Sequence, residues 1–275
     1  MDAAQMVAGL IPTATLKELS ASTNRVFRVR TEDGETTIVK VYSSPARERR
    51  ERHAMEALAG VRGVPAILER GSNQGMSWIR MPDGGAWSLA TLPKNTETIA
   101  RAGLVLRAVH DSRAEITNLG SGLDAAYVSD HYQSTLTRLS RYRGRLGLPV
   151  EVLDRALASD RRPQASAPRP AHTRPHPRSF VVTEMGEVML IEWEWATLAP
   201  PEWDLSLATW RLTRELGRDA AEAFWQGYGA SFPQARLRPW IAYHSAMAML
   251  EAAEQRDGRL GDLSYLVDDL SKSVT

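Results

Sequence analysis

The chain has 275 residues, 43% hydrophobic and 24% charged, with a formal net charge of +1 and no cysteine. That composition supplies a core for one large domain or two lobes, and it excludes disulfides, thiolate metal sites and cysteine nucleophiles. The near-balanced charge offers no global field for nucleic acid or an anionic membrane, and no apolar run is long enough to span a bilayer. Residues Met1 to Leu10 lack the basic cluster of a secretory signal, and a cytoplasmic location is expected.

The first part of the chain reads as strands. Arg25–Arg30 and Thr36–Tyr42 flank Glu32-Asp33-Gly34-Glu35. An Asp-Gly pair between two β-rich runs predicts a hairpin with both turn residues at positive φ. Pro45 then opens an arginine-rich helix over Ala46–Ala59, stopped by Gly60 and Gly63. A further strand, Met76–Met81, ends in Pro82-Asp83-Gly84-Gly85, which reads as a hinge.

Helices dominate beyond the hinge. Thr96–His110 sets Ile99, Ala102, Leu106 and Val109 on one face, and further helices are expected over Tyr127–Tyr142 and Val150–Ala158. The stretch from Arg161 to Thr183 then carries five arginines and no acid. A short hairpin, Phe180–Thr183 with Val188–Ile191, leads to helices from about Leu205, with Trp210, Leu212, Phe224, Trp225, Trp240 and Met247 as core. A β-rich start followed by a helical remainder predicts an α+β fold of two lobes around a cleft, divided as residues 1–82 and 83–275.

Several patterns then fall in one order. Lys40 sits in Ile38-Val39-Lys40-Val41-Tyr42, and Glu51 lies on the following helix at a spacing that reaches it. Alone, these read as an edge-strand lysine and a solvated acid. Further on come Ala171-His172-Thr173-Arg174-Pro175-His176-Pro177-Arg178-Ser179, then Ile191-Glu192-Trp193-Glu194, then Pro201-Glu202-Trp203-Asp204-Leu205. The ordered set resembles the aminoglycoside phosphotransferase and choline kinase family, with its two-lobed protein-kinase-like fold. That family has a loop of the form H-G-D-x-x-x-x-N, then I-D-W-E, then P-x-W/Y-D-L-A.

The resemblance implies roles. Lys40 is the phosphate-contacting lysine and Glu51 its partner. Ser20 to Asn24, with Ser22 and Asn24, forms the loop over the phosphates, although it holds no glycine. Met81 and the residues to Ala86 lie beside the adenine. His172 belongs to the catalytic loop (region 171–195), and Asp204 supports that loop. ATP and Mg²⁺ are the implied cofactors.

The match fails at the chemically demanding positions. Arg174 stands where the catalytic Asp belongs, Thr173 where its neighbouring Gly belongs, Ser179 at the metal-binding Asn and Glu192 at the metal-binding Asp. A guanidinium stays protonated at physiological pH and has no acceptor, so Arg174 cannot act as a base. Losing a positioned base alone costs about 10²–10⁴ in rate. Glu192 keeps a carboxylate, one methylene longer, and Ser179 keeps a weak hydroxyl ligand. In this register the Arg174 side chain is expected in the cleft, paired with Glu192 or facing phosphate.

Two functions follow. One is a pseudokinase, binding a nucleotide or small molecule, with a protein partner in a regulatory role. The other is an active ATP-dependent kinase of antibiotics or amino alcohols, in which Glu192 holds metal and Glu194 assists the hydroxyl. A zinc pair of His172 and His176 is disfavoured because Pro175 and Pro177 prevent the helix that would align them. Trp193, Trp195 and Trp203 read as packing between hairpin and helix. Glu251, Glu254, Asp257, Asp262, Asp268 and Asp269 are the acids available for a cationic substrate.

Overall fold

A computed structural model describes residues 2–19, 23–73, 75–116, 123–158, 165–229, 234–254 and 264–274. The first lobe contains α1 (Ala3–Leu10), β1 (Thr15–Leu19), β2 (Arg25–Arg30), β3 (Thr36–Val41), α2 (Pro45–Ala57), β4 (Glu69–Asn73) and β5 (Met76–Pro82). The strands form one antiparallel sheet in the order β1-β2-β3-β5-β4. Its two faces follow the period of two along each strand. Phe27, Val29, Val39 and Val41 point to one side, where Met6 and Val7 of α1 and Trp78 of β5 cover them. Val26, Arg28, Ile38 and Lys40 point to the other side and line a cleft.

The Asp-Gly hairpin forms, but not with two residues at positive φ. Only Gly34 adopts it (φ +89°), at the end of the turn in which its N–H bonds the Thr31 carbonyl. The connection runs from Thr31 to Glu35, since Arg30 pairs with Thr36 across the ladder. That is longer than a two-residue turn and relaxes the demand on Asp33. Helix α2 starts on Ser44, whose hydroxyl accepts the Arg47 N–H, with Pro45 in the first turn.

After the hinge come β6 (Trp87–Ser88), α3 (Thr96–Asp111), α4 (Ala125–Ser140), α5 (Arg143–Leu146) and α6 (Val150–Ala158). Next are β7 (Arg169–Ala171), β8 (Phe180–Val182), β9 (Val188–Leu190) and β10 (Thr197–Ala199), with single 3₁₀ turns at Pro177–Ser179 and Trp193–Trp195. Helices α7 (Pro201–Leu216), α8 (Arg218–Tyr228), α9 (Gln234–Glu254) and α10 (Ser264–Val274) complete the lobe. Ile99, Ala102, Leu106 and Val109 of α3 are buried in a core that continues from α2 and β5 into β8, β9, α7 and α8. This shared core fixes the sheet lobe against the helical one. Among the described residues no helix is long and apolar enough to cross a membrane.

The second core cluster, around α4, α6, α9 and α10, carries a pH-sensitive histidine. His244 is buried, with Nε2 3.0 Å from Ser206 Oγ and 3.2 Å from the Trp203 carbonyl. Burial pulls its pKa down from 6.5 to about 3, against the opposing pull of the Trp203 carbonyl. The unfolded chain therefore takes up a proton between pH 6.5 and 3 that the fold refuses. Stability is intact above that window and falls as the pH drops through it. At pH 5 this one residue removes about 2 kcal/mol, and buried His172 acts in the same direction. Urea unfolding at pH 7.5 and pH 5 should show that loss, with a shallower slope in His244→Gln; equal slopes would contradict it.

Candidate functional site

Lys40 projects from β3 through the cleft face of the sheet, and Glu51 meets it from the second turn of α2. The Lys40 Nζ lies 2.5 Å from Glu51 Oε2, and both residues are buried. Burial is the largest influence on the ammonium and lowers its pKa. The carboxylates of Glu51, Glu194 and Glu192 outweigh it, so the net shift is upward and Lys40 stays charged. An apolar pair of equal volume is often no less stable, so a buried ion pair is weak evidence of a stabilising role.

The cleft of about 210 Å³ has Leu19, Val26 and Ile38 on the sheet side, Val181 and Ile191 on the other, and Met81 to Gly85 along its back. The hinge glycines are required by close approach. A Cβ on Gly84 would sit 2.3 Å from Val181 Cγ2. One on Gly85, at φ +100°, would sit 2.1 Å from the Val182 carbonyl oxygen. Arg28 locks this segment: its Nε lies 2.6 Å from Asp83 Oδ2, and its Nη2 donates to the Gly85 carbonyl at 2.8 Å. Asn24 is buried at the cleft edge; it accepts the Ser43 N–H at 3.2 Å and donates to Glu194 Oε2 at 3.3 Å. Ser20, Ala21 and Ser22 lie outside the described residues, as do Arg161, Arg162, Asp257 and Asp262.

Across the cleft, the loop after β7 hangs on Asp204. This fully buried carboxylate accepts the backbone N–H of His172 at 2.8 Å and of Thr173 at 2.7 Å, and lies 3.1 Å from His110 Nε2. Thr173 adopts φ +67°, a left-handed conformation costly for a β-branched residue. Its hydroxyl donates to the Trp195 carbonyl at 2.9 Å, and its own carbonyl accepts Trp203 Nε1 at 3.0 Å. Those contacts hold a backbone shape that a glycine would adopt freely.

His172 has both ring nitrogens engaged. Nε2 lies 2.7 Å from the Ile191 carbonyl, and Nδ1 accepts the Arg174 N–H at 3.3 Å. Burial lowers its pKa, so it is neutral and holds the loop against β9. The Arg174 side chain is not in the cleft and does not pair with Glu192. It is exposed, with Cζ 4.5 Å from the Trp195 ring centroid. The physical reason is the indole: a cationic guanidinium gains more over that ring than in a cleft already occupied by Lys40. Trp193 is fully buried as core, but Trp195 is only partly buried and faces arginines, so it is not the packing residue its spacing suggests.

Glu192 begins the 3₁₀ turn at φ +73° and accepts a hydrogen bond from Ser179 Oγ at 2.9 Å. Glu194, two residues on, is buried, lines the cleft and lies 3.5 Å from Arg47 Nη1. The lysine, its glutamate and the apolar walls fit a nucleotide. For Mg²⁺ the set is thinner: one exposed carboxylate and a hydroxyl that already donates to it, and no group of three or more His, Asp or Glu converges among the described residues. Of the acids set aside for a cationic substrate, Glu254 pairs with Arg138, and Asp269 accepts Trp210 Nε1 and pairs with Arg214.

Sequence reading missed Arg28–Asp83, the role of His110, and the arginines on Trp195. The last left a signal: Arg47, Arg50 and Glu51 fall three and four apart, on one face of α2.

A five-stranded sheet with a lysine–glutamate pair, joined by a glycine hinge to a helical lobe whose loop hangs on a buried aspartate, is the kinase-like phosphotransferase fold. The chain belongs to the phosphotransferase enzyme family, whose pattern matches residues 15–240. Solved structures agree on the fold. A GDP complex of an aminoglycoside 2'-phosphotransferase superposes with a TM-score of 0.71 at 15% identity, covering 98% of this chain and 95% of that one. Spectinomycin phosphotransferase with ADP and spectinomycin gives 0.66 at 14%, covering 98% and 93%. A choline/ethanolamine kinase family protein from Mesorhizobium loti gives 0.60 at 20%, covering 98% and 89%. No curated protein sequence matches the chain.

Proposed function

We propose that this chain is a pseudokinase of its family: a cytoplasmic module that holds a nucleotide between residues 1–82 and 83–275 and does not transfer its phosphoryl group. The observation that carries this is Arg174, a permanent cation in the loop where the resemblance calls for a carboxylate. Lys40, Glu51, Asn24 and Met81 are the nucleotide contacts in this reading, and Ser22 extends the loop above the phosphates. Among the described residues, Glu192 with Ser179 is the metal arm in this reading. ADP and GDP complexes of solved structures with this fold support a nucleotide as ligand.

One observation favours a second reading, an active antibiotic or amino-alcohol kinase. Glu192 and Glu194 both line the cleft beside Lys40. Yet Glu194 is committed to Asn24 and Arg47, which leaves it poorly placed to accept a substrate proton.

Calorimetric titration of ADP with and without Mg²⁺, on wild type and Arg174→Asp, tests the assignment. The Arg174 side chain lies outside the cleft and offers a metal no ligand, whereas Arg174→Asp adds a carboxylate to the Glu192 arm. Wild type should therefore depend little on Mg²⁺, and Arg174→Asp should depend on it strongly. Equal dependence in both proteins would count against the reading.

A further inference from the structure

Lys40 and Asn24, the two side chains assigned to phosphate, are already engaged by the chain's own carboxylates. Lys40 Nζ is 2.5 Å from Glu51 Oε2. Asn24, in the loop between β1 and β2, uses its carbonyl oxygen for the Ser43 N–H at 3.2 Å, which leaves its Nδ2 to donate to Glu194 Oε2 at 3.3 Å. Arg47 of α2 reaches the same Glu194 oxygen at 3.5 Å. Asn24 and Arg47 belong to the sheet lobe and Glu194 to the helical one, so this carboxylate is held from across the cleft.

Glu194 is 8% exposed and lines the cleft together with Lys40, Glu51 and Glu192. Among the described residues the other cation lining the cleft is Arg28, and it is paired with Asp83 at the hinge. At the Lys40 end, one ammonium therefore faces three carboxylates. After burial and Glu51, Glu194 is the next influence on that ammonium, ahead of Glu192. Glu192 is also exposed and accepts from Ser179. A carboxylate in a buried position repels a second anion more strongly than it would in water. A phosphate arriving at Lys40 and Asn24 thus meets a fixed negative charge and a donor already spent. An uncharged base and ribose meet no such repulsion.

We infer that Glu194 sets the ligand selectivity of the cleft: its carboxylate, held between Asn24 and Arg47, lowers the affinity of nucleoside phosphates relative to the parent nucleoside. This rests on the reading of the cleft as a nucleotide site and sharpens it. Lys40 still attracts phosphate, and Glu194 limits what that attraction gains. The removal of one negative charge should therefore tighten binding of the phosphate and leave the nucleoside as it was.

Calorimetric titration of ADP, adenosine and inorganic pyrophosphate into the full chain, in magnesium-free buffer with EDTA, compares wild type with Glu194→Gln and Glu194→Ala. Glutamine keeps the size of the side chain and an acceptor for Asn24, and removes the charge. Its melting temperature should stay at the wild-type value. ADP should bind Glu194→Gln about 10-fold or more tightly than wild type, with adenosine within about 3-fold. Glu194→Ala also frees the Asn24 donor and should gain at least as much, and pyrophosphate should follow ADP. An unchanged or weaker ADP affinity in Glu194→Gln, or an equal gain for adenosine, would overturn the inference. If neither ADP nor adenosine binds any of the three proteins, the nucleotide reading falls and pyrophosphate decides. Tighter pyrophosphate binding by Glu194→Gln would then support the role given to Glu194, and equal or absent binding would overturn it.

Discussion

Asp204→Ala is expected to remove about 4 kcal/mol or more from the stability of the fold. The carboxylate is fully buried and accepts from two consecutive backbone N–H groups, and it lies against His110 as well. Truncation leaves those donors in a dry interior, at about 1–3 kcal/mol each. It also frees Thr173 from the left-handed conformation that the two oxygens pin. Losses of this size arise from a short set of causes, and a broken buried network is one. Urea unfolding of wild type and variant measures it. A loss below about 1 kcal/mol would mean that something other than Asp204 holds the loop.

Lys40→Ala is the second large effect, and it separates stability from binding. Removing the ammonium strands Glu51 in the core, and breaking a buried pair costs about 3–5 kcal/mol. Replacing both partners, as Lys40→Met with Glu51→Leu, should recover most of that loss. With Lys40 as the proposed phosphate contact, nucleotide affinity should stay low in both variants. Denaturation gives the first quantity and ADP titration the second. Wild-type ADP affinity in the double variant would show that the pair serves the fold alone.

These two residues also show what the sequence could reveal. Lys40 and Asp204 sit in runs with strong local patterns, an apolar strand and a proline-initiated helix, so their neighbourhoods were readable by register. Helix α6 and strand β2 appear with their expected ends, because each is bounded by clear breaks in hydrophobic period. Helix α1 and strand β1 were not foreseen. The Asp2–Gln5 capping box that starts α1 is a four-residue signal, and β1 is a largely exposed edge strand with little apolar alternation.

At the site, register put Arg174 on the loop after β7 but sent its side chain into the cleft, whereas it lies exposed over Trp195. That depends on Trp195, whose own exposure depends on how α2 packs against the 3₁₀ turn. Contacts between segments so far apart leave no period in either one. His110, which meets Asp204 from 94 residues away, was hidden for the same reason.

Under the pseudokinase proposal the chain keeps the family's cleft without its chemistry. The most direct measurement follows ADP release from ATP and Mg²⁺ over a panel of aminoglycosides, macrolides and amino alcohols. Release no faster than from Lys40→Ala is the predicted result. Turnover above that level, abolished by Glu192→Ala or Glu194→Ala, would contradict it and identify a working kinase.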